Sequence, residues 1–340
     1  MREKSPMRDM TKPVSIFHLV LRTAAIVIST ALAGLMAGQA ATAQNYPNRP
    51  VRMLVPHAPG GPTDIMARVV GQRLSELWGQ TVVVDNRAGA GGNIGTAMVA
   101  RANPDGYTVL VNSSAFAVNV TLFRNPGYDP KDFAPVINGG VIPNLIFVHP
   151  SFPALTLQEL IKIGKSKKLS YASAGMGTTP HLTAERLLKT MAGLDITHIP
   201  YNGAGLAANA VVANEVPVGT AAVTAPAPLI RAGRLKGIVV TSLQRTPALP
   251  DVATVAESGY AGYEDYTWIA FFAPRGTPRG IVARLNADIT GALQLPAIKE
   301  RLATLGFDFA PNTPQQFGGY LGNEVIKWAK VVKDSGARVD

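Results

Sequence analysis

The sequence predicts an α/β fold built in two domains. Three observations carry this. Residues Val51 to Leu77 read as a strand, a turn rich in Pro and Gly, and a helix. The same order returns about 115 residues later, from Lys168 to Gly193. The chain of 340 residues also remains long for one core when an N-terminal leader is taken off, leaving 297.

The leader comes first. Arg2, Lys4, Arg8, Lys12 and Arg22, against Glu3 and Asp9, precede or flank an apolar run from Ala24 to Met36. Ala41-Thr42-Ala43 then supplies small residues. This is the pattern of a secretory signal peptide over residues 1–43, cleaved near Ala43. The run is short for a membrane span and is broken by Ser, Thr and Gly; an uncleaved anchor is the alternative. Without these residues the formal charge falls from +10 to +7. There is no cysteine, hence no disulfide framework and no thiol for a lipid. An exported, soluble, periplasmic protein fits. The bases are scattered, and the densest group (Lys162, Lys165, Lys167, Lys168) ends a helical pattern, as a solvated helix end does. No nucleic-acid partner is expected.

In the 51–77 unit, Val51 to Val55 is the strand and Pro56 to Pro62 the turn, with Thr63 and Asp64 at capping positions. Ile65, Met66, Val69, Val70, Leu74 and Leu77 give the helix its apolar side. The first N–H groups of a helix lack intrahelical partners and carry the positive end of its dipole. Glycines let a ligand come close, so an anion is the natural guest. The alternative is a tight connection with no ligand.

A second unit follows, with a strand over Val82 to Val84, a loop over Gly89 to Gly95 and a helix over Ile94 to Ala102. Its glycines approach a dinucleotide fingerprint, but the spacing Gly89-x-Gly91-x-x ends at Ile94, so a nucleotide is not expected. Tyr107 to Val111 is a strand ending at Asn112-Ser113-Ser114, where open α/β sheets bind ligands. Residues 123–135 read as irregular, and Leu145 to Val148 as a strand leaving the first domain.

The second strong signal has a strand over Leu169 to Ala172 and a glycine turn over Ser173 to Thr178. Thr179 follows as N-cap and Pro180 as the first helical residue, and Leu182, Leu187, Leu188 and Met191 continue the helix. Neither turn carries the Gly-Lys-Ser/Thr of a P-loop, which argues against nucleoside triphosphates. Ile199 to Gly205 is a third strand-to-helix turn. Strands are predicted over Val216 to Val223 and Lys236 to Ser242, around a short helix over Leu229 to Leu235. After a loop at 243–265, Tyr266 to Phe272 is an aromatic strand returning to the first domain. Helices over Pro278 to Leu293, Pro296 to Leu305 and Thr313 to about Val332 close the chain.

Catalysis finds little footing. A serine elbow needs G-x-S-x-G, and Tyr171-Ala172-Ser173-Ala174-Gly175 lacks the first glycine. His57, His149, His181 and His198 show no metal-ligand spacing. His181, in the first turn of a helix, reads as structural or water-positioning. No catalytic residue, metal or cofactor is expected.

The ordered motifs complete the reading. They are Tyr46-Pro47-x-Arg49-Pro50, Pro59-Gly60-Gly61-x-x-Asp64, Asn86-Arg87-x-Gly89-Ala90-Gly91-Gly92-Asn93-Ile94-Gly95, Pro104-Asp105-Gly106-Tyr107-Thr108 and Tyr128-Asp129-Pro130-x-x-Asp132-Phe133. Tyr171-Ala172-Ser173-x-Gly175-x-Gly177-Thr178-x-x-His181, Pro200-Tyr201-x-Gly203-Ala204-Gly205, Leu249-Pro250-Asp251-Val252 and Ala273-Pro274-x-Gly276-Thr277-Pro278 follow. Across the whole mature chain the sequence resembles the Bug/TctC family, the extracytoplasmic solute receptors of tripartite tricarboxylate transporters. The resemblance implies a two-lobe periplasmic binding protein of the type II kind, with the cleft between lobes joined by crossing segments. Lobe 1 is then residues 44–146 plus 267–340, and lobe 2 residues 147–266.

The resemblance also implies a small mono- or dicarboxylate, aliphatic or aromatic. Backbone amides and ordered waters at the two glycine turns would hold it. The implied ligand-binding residues are His57, Pro59, Gly60, Gly61, Asp64, Ser113, Ser114, Ser173, Gly175, Gly177, Thr178, His181, Asn202, Gly203 and Thr220. Asp64 is expected to cap its helix and not to touch the anion. The implied partners are one large and one small integral membrane transporter subunit, with the receptor a monomer. A periplasmic signalling protein without a dedicated transporter is the alternative. Three positions depart from the family pattern: His57, Leu206 and Ala221. His57 either faces the cleft, donating a hydrogen bond or pairing with a second carboxylate when protonated, or lies on the outer side of its turn. At Ala221 an acid that would receive an amino group is absent, which weakens amino-acid ligands.

Overall fold

A computed structural model describes residues 46–335 and Val339; the predicted leader, residues 1–43, lies outside the described residues. β1 (Val51–Val55) leads through the Pro/Gly turn into α1 (Pro62–Trp78) and β2 (Val82–Asn86). A 3₁₀ turn at Ala90–Gly92 runs into α2 (Asn93–Ala100), then β3 (Thr108–Ser113) and α3 (Ala115–Leu122). β1 is apolar at nearly every position because both faces of a parallel sheet are covered. Met66, Val69, Val70 and Leu74 form the buried stripe of α1 at helical spacing. Gly79, left-handed at φ 61°, ends that helix.

β4 (Phe133–Val148) carries the chain into the second half. There lie α4 (Leu157–Ser166), β5 (Leu169–Ser173), α5 (Thr179–Ala184), β6 (Ile196–Pro200), α6 (Ala204–Val212), β7 (Val218–Ala222), α7 (Ala227–Arg231) and β8 (Lys236–Val240). α5 runs on as a π-helical turn over Glu185–Met191. β9 (Tyr266–Pro274) returns, and α8 (Arg279–Gln294), α9 (Pro296–Thr304) and α10 (Pro314–Ser335) pack back.

The strand order is β2-β1-β3-β9-β4-β7-β5-β6, with β8 paired to β4. β1 is parallel to β2 and β3, and β5 is parallel to β6 and β7. β4 belongs to both halves. Its residues Phe133 to Pro143 pair antiparallel with β9, and from Asn144 to Val148 it pairs with β7. The handover falls between Pro143 and Asn144. Asn144 N–H donates to Thr241 Oγ1 at 2.8 Å, and Thr241 N–H donates back to the Asn144 carbonyl at 2.9 Å.

Two stretches differ from the sequence expectation. β4 is 16 residues long, not the four read from Leu145 to Val148. Pro135, Pro143 and the Gly139-Gly140 pair hide it, and the structure absorbs part of this misfit as register shifts at Pro135/Ile137 and Asn138/Gly140. α3 escaped because its sequence, AFAVNVTL, is apolar almost all round and buried, leaving no polar face to give a period.

Each half has its own core. Phe116 stacks on Phe272 at 4.4 Å in the first, beside Trp268 and Trp328, whose indoles both donate to buried Glu324 Oε2 at 2.8 Å. Leu157, Leu160, Tyr171, Leu187, Leu188 and Val239 fill the second.

Candidate functional site

Three helix starts meet at one cavity. Its wall includes Gly61, Pro62 and Thr63 from α1, Thr178, Thr179 and Pro180 from α5, and Gly203 and Ala204 from α6. The cap residues Gly61, Thr178 and Gly203 give no side-chain hydrogen bond to their own helices. Apart from Pro62 and Pro180, which have no N–H, the first-turn amides of three helices are therefore left to the cavity and whatever it holds. Ser113, at the carboxyl end of β3, adds a hydroxyl, and Thr267 and Ile269 of β9 and Ala222 of β7 complete the wall. The volume is about 40 Å³.

His57 lines this cavity, so of its two sequence alternatives the inward one holds. Its Nε2 lies 3.3 Å from Asn112 Oδ1 and 3.5 Å from Ser113 Oγ. Burial pulls its pKa down to about 4, against a smaller opposing pull from Asn112. In this state the ring is neutral near pH 7, a donor or acceptor and not a cation.

The hydroxyls beside the cavity form a chain with one direction. Thr267 Oγ1 donates to Asn144 Oδ1 at 2.7 Å. A hydroxyl has one proton, so Thr179 must donate to Thr267, and Ser114 to Thr179 across 3.0 Å. Asn144 Nδ2 donates to Thr183 Oγ1 at 3.0 Å, and Thr183 donates to Asp265. The protons of Thr179 and Thr267 are thus committed to this chain, and backbone N–H groups are the donors left to the cavity. Burial lifts the Asp265 pKa to about 6, opposed in part by Thr183.

The other expected residues have different placements. Pro59 and Gly60 are exposed and outside the wall. Asp64 is buried away from the cavity at the third position of α1, not at its cap. It accepts from Gly60 N–H, Arg68 Nε and Asn86 Nδ2, each at 3.0 Å, and so fastens the turn that precedes the helix. Burial pushes its carboxyl up, but these bonds outweigh that and hold it below the ordinary range. The cap of α5 is Thr178, one residue before the Thr179 expected, with Pro180 second in the helix.

Ser173 is fully buried and shares a 2.7 Å hydrogen bond with His198. This Ser–His contact lies outside the cavity wall and has no access to a substrate there. His181 accepts from Gly177 N–H at 3.3 Å and stacks on His198 at 4.2 Å. Thr220 is buried and donates to the Pro180 carbonyl at 3.0 Å, holding the start of α5. Gly175 and Asn202 line a neighbouring compartment.

Across the mouth the halves touch. Ala58 N–H donates to the Asn202 carbonyl at 3.2 Å. Gly177, at φ +78°, lies so close to Asn119 that an added Cβ would fall inside its carboxamide. The Asn119 amide is itself fixed, donating to the Gly91 carbonyl at 3.0 Å and to Asn93 Oδ1 at 2.8 Å. Sequence reasoning missed Thr179, Thr267, Ile269 and Ala222 as wall residues. Alternation along β9 is the signal that would have found two of them: Thr267 and Ile269 share a face, with Trp268 on the other.

Among the described residues no cluster of ligands fits a metal, and no helix is long and apolar enough to cross a membrane. A family model described as the tripartite tricarboxylate transporter family receptor (TctC) matches residues 66–337. The protein BugT of Bordetella pertussis is 37% identical over 336 residues, 97% of this chain and 99% of BugT. The structure of the periplasmic binding protein BugD superposes with a TM-score of 0.83 at 37% identity, covering 86% of this chain and 99% of BugD. An R. palustris protein solved with adipate gives a TM-score of 0.84 at 36% identity, covering 87% of this chain and all of that one. These neighbours are solute-binding receptors, not enzymes, and they share the two-lobe α/β architecture. The chain belongs to the Bug/TctC family of solute-binding receptors.

Proposed function

We propose that this chain is a periplasmic receptor that captures a small carboxylate between its two lobes and delivers it to a tripartite membrane transporter. The observation that carries the reading is the meeting of three helix starts without side-chain caps on one cavity. A carboxylate there gains the dipole and N–H groups of all three at once, which no single turn provides. The relative solved with adipate supports a carboxylate ligand. Lobe 1 comprises residues 44–146 and 267–340 and lobe 2 residues 147–266; the pairing handover at Pro143/Asn144 supports a division here and falls just before that boundary.

Because the N–H groups come from both lobes, the ligand binds the closed arrangement more tightly than an open one. That difference in affinity drives closure. The closed monomer then docks on one large and one small integral membrane subunit. Residues 1–43 would direct export and be removed in the process. His57, Gly61, Ser113, Thr178 and Gly203 touch the ligand or its waters, while Asp64, Ser114, Thr220 and His181 position the turns.

The test is a thermal-shift screen of the mature chain, refolded to strip bound ligand, against carboxylates, amino acids and uncharged sugars. Ligand that binds only the folded form raises the melting temperature as RT ln(1 + [L]/Kd). Shifts with carboxylates alone are expected. A response confined to uncharged sugars would refute the reading.

A further inference from the structure

We propose that the ligand is a monocarboxylate with an uncharged, apolar body, its acid group in the inner cavity and its body in the adjoining outer compartment. This rests on the carboxylate reading above and goes beyond it. The inner cavity has about 40 Å³. At 10–15 Å³ per water in the same measure, that is room for roughly three waters, enough for a carboxylate head and not for a six-carbon diacid. The rest of a larger ligand must lie elsewhere.

The structure supplies the place. A compartment of about 300 Å³ adjoins the inner cavity, and His57 and Ala174 line both. Its walls come from both halves: Pro56, Phe123 and Val339 on one side, and Met176, Pro200 and Tyr201 on the other. Val339 is fixed there by two backbone bonds, donating to the Leu122 carbonyl at 2.9 Å and accepting from Arg124 N–H at 3.1 Å. Rings and a thioether suit an aromatic or alkyl body. No lysine, arginine or acid lies in this lining among the described residues. A second carboxylate would give up its hydration against Phe123, Met176 and Val339, with no helix of the inner cavity's kind starting at those side chains.

Hexanoate and adipate test this, because they share a six-carbon chain and differ only in the far carboxylate. Isothermal titration of the refolded mature chain with each, at pH 7, gives the ratio of their Kd values. Hexanoate is expected to bind at least ten-fold tighter than adipate. Met176→Lys, which sets a cation in the outer wall, should shift that ratio at least ten-fold toward adipate. Adipate binding as tightly as hexanoate in the native chain would overturn the inference and leave the carboxylate reading standing. Proton uptake in that titration would then point to His57 as the partner of the second acid. An unchanged ratio in Met176→Lys would refute the placement of the body. Failure of both acids, and of acetate, succinate and benzoate, would remove the carboxylate reading itself.

Discussion

Gly177→Ala is the sharpest probe of closure. Gly177 does not approach a ligand, as the glycine turn alone implied; it approaches Asn119 on the opposite half. Two costs follow and can be separated. The left-handed φ of +78° costs an alanine about 1–2 kcal/mol whatever surrounds it. The clash forces Asn119 aside, breaking its hydrogen bonds to Gly91 and Asn93. At about 0.5–1.5 kcal/mol each, that is about 1–3 kcal/mol set against the closed arrangement alone. The expected loss of carboxylate affinity is roughly 5- to 150-fold. Gly193→Ala is the control: its φ is +67°, but nothing lies within 4 Å of an added Cβ. Both variants should lose similar stability in urea, and only Gly177→Ala should lose affinity by titration. Equal affinities for the two would refute the argument.

Two further outcomes follow from the buried ionisable groups. Burial lowers the pKa of His57 and His181 to about 4 and of His198 to about 3, so the unfolded chain takes up their protons first as pH falls below 6.5, and stability is lost. Asp265, raised to about 6, works the other way, since its folded form takes up the proton first and stability is gained on acidification. Three groups against one give a net loss of about 4 kcal/mol between pH 7 and pH 5. Urea unfolding at the two pH values checks it, and equal or greater stability at pH 5 would contradict the assignment. Asp64→Ala removes the acceptor for Gly60, Arg68 and Asn86 and should cost about 2–4 kcal/mol, with Asp64→Asn recovering part. Affinity should fall with it, because Gly61 to Thr63 lose their anchor; wild-type stability in Asp64→Ala would show that the turn holds without it.

Much of the fold was legible because its signals are local. The run Val51 to Val55, the glycine turns and the apolar stripe of α1 each announce themselves within a few residues. Two of the three helix starts around the cavity were readable as anion-ready turns for the same reason, and the third, at Ile199 to Gly205, only as a strand-to-helix turn. What was lost is non-local. β4 crosses two prolines and a glycine pair, and only its partners β9, β7 and β8 make it one strand. Thr267 reaches the cavity through the pairing of β9, and no spacing in the sequence joins it to Thr179, 88 residues away. Gly177 carried a correct signal of close approach, but the sequence could not say to what. The Asp64 carboxylate suggested a cap, and the fold spends it one turn earlier.

The shared strand has a mechanical consequence. Among the described residues the chain passes from one half to the other at Pro143/Asn144 and comes back at Asp265/Tyr266. The crossing is stapled by the reciprocal bonds of Asn144 and Thr241, and Asp265 N–H donates to the Thr241 carbonyl at 3.1 Å. All three bonds lie within the crossing itself, so parting the halves need break none of them. A hinge at this crossing would turn about the β4–β9 pair, and the bonds that set its rest position would be the same whichever acid the cavity had held.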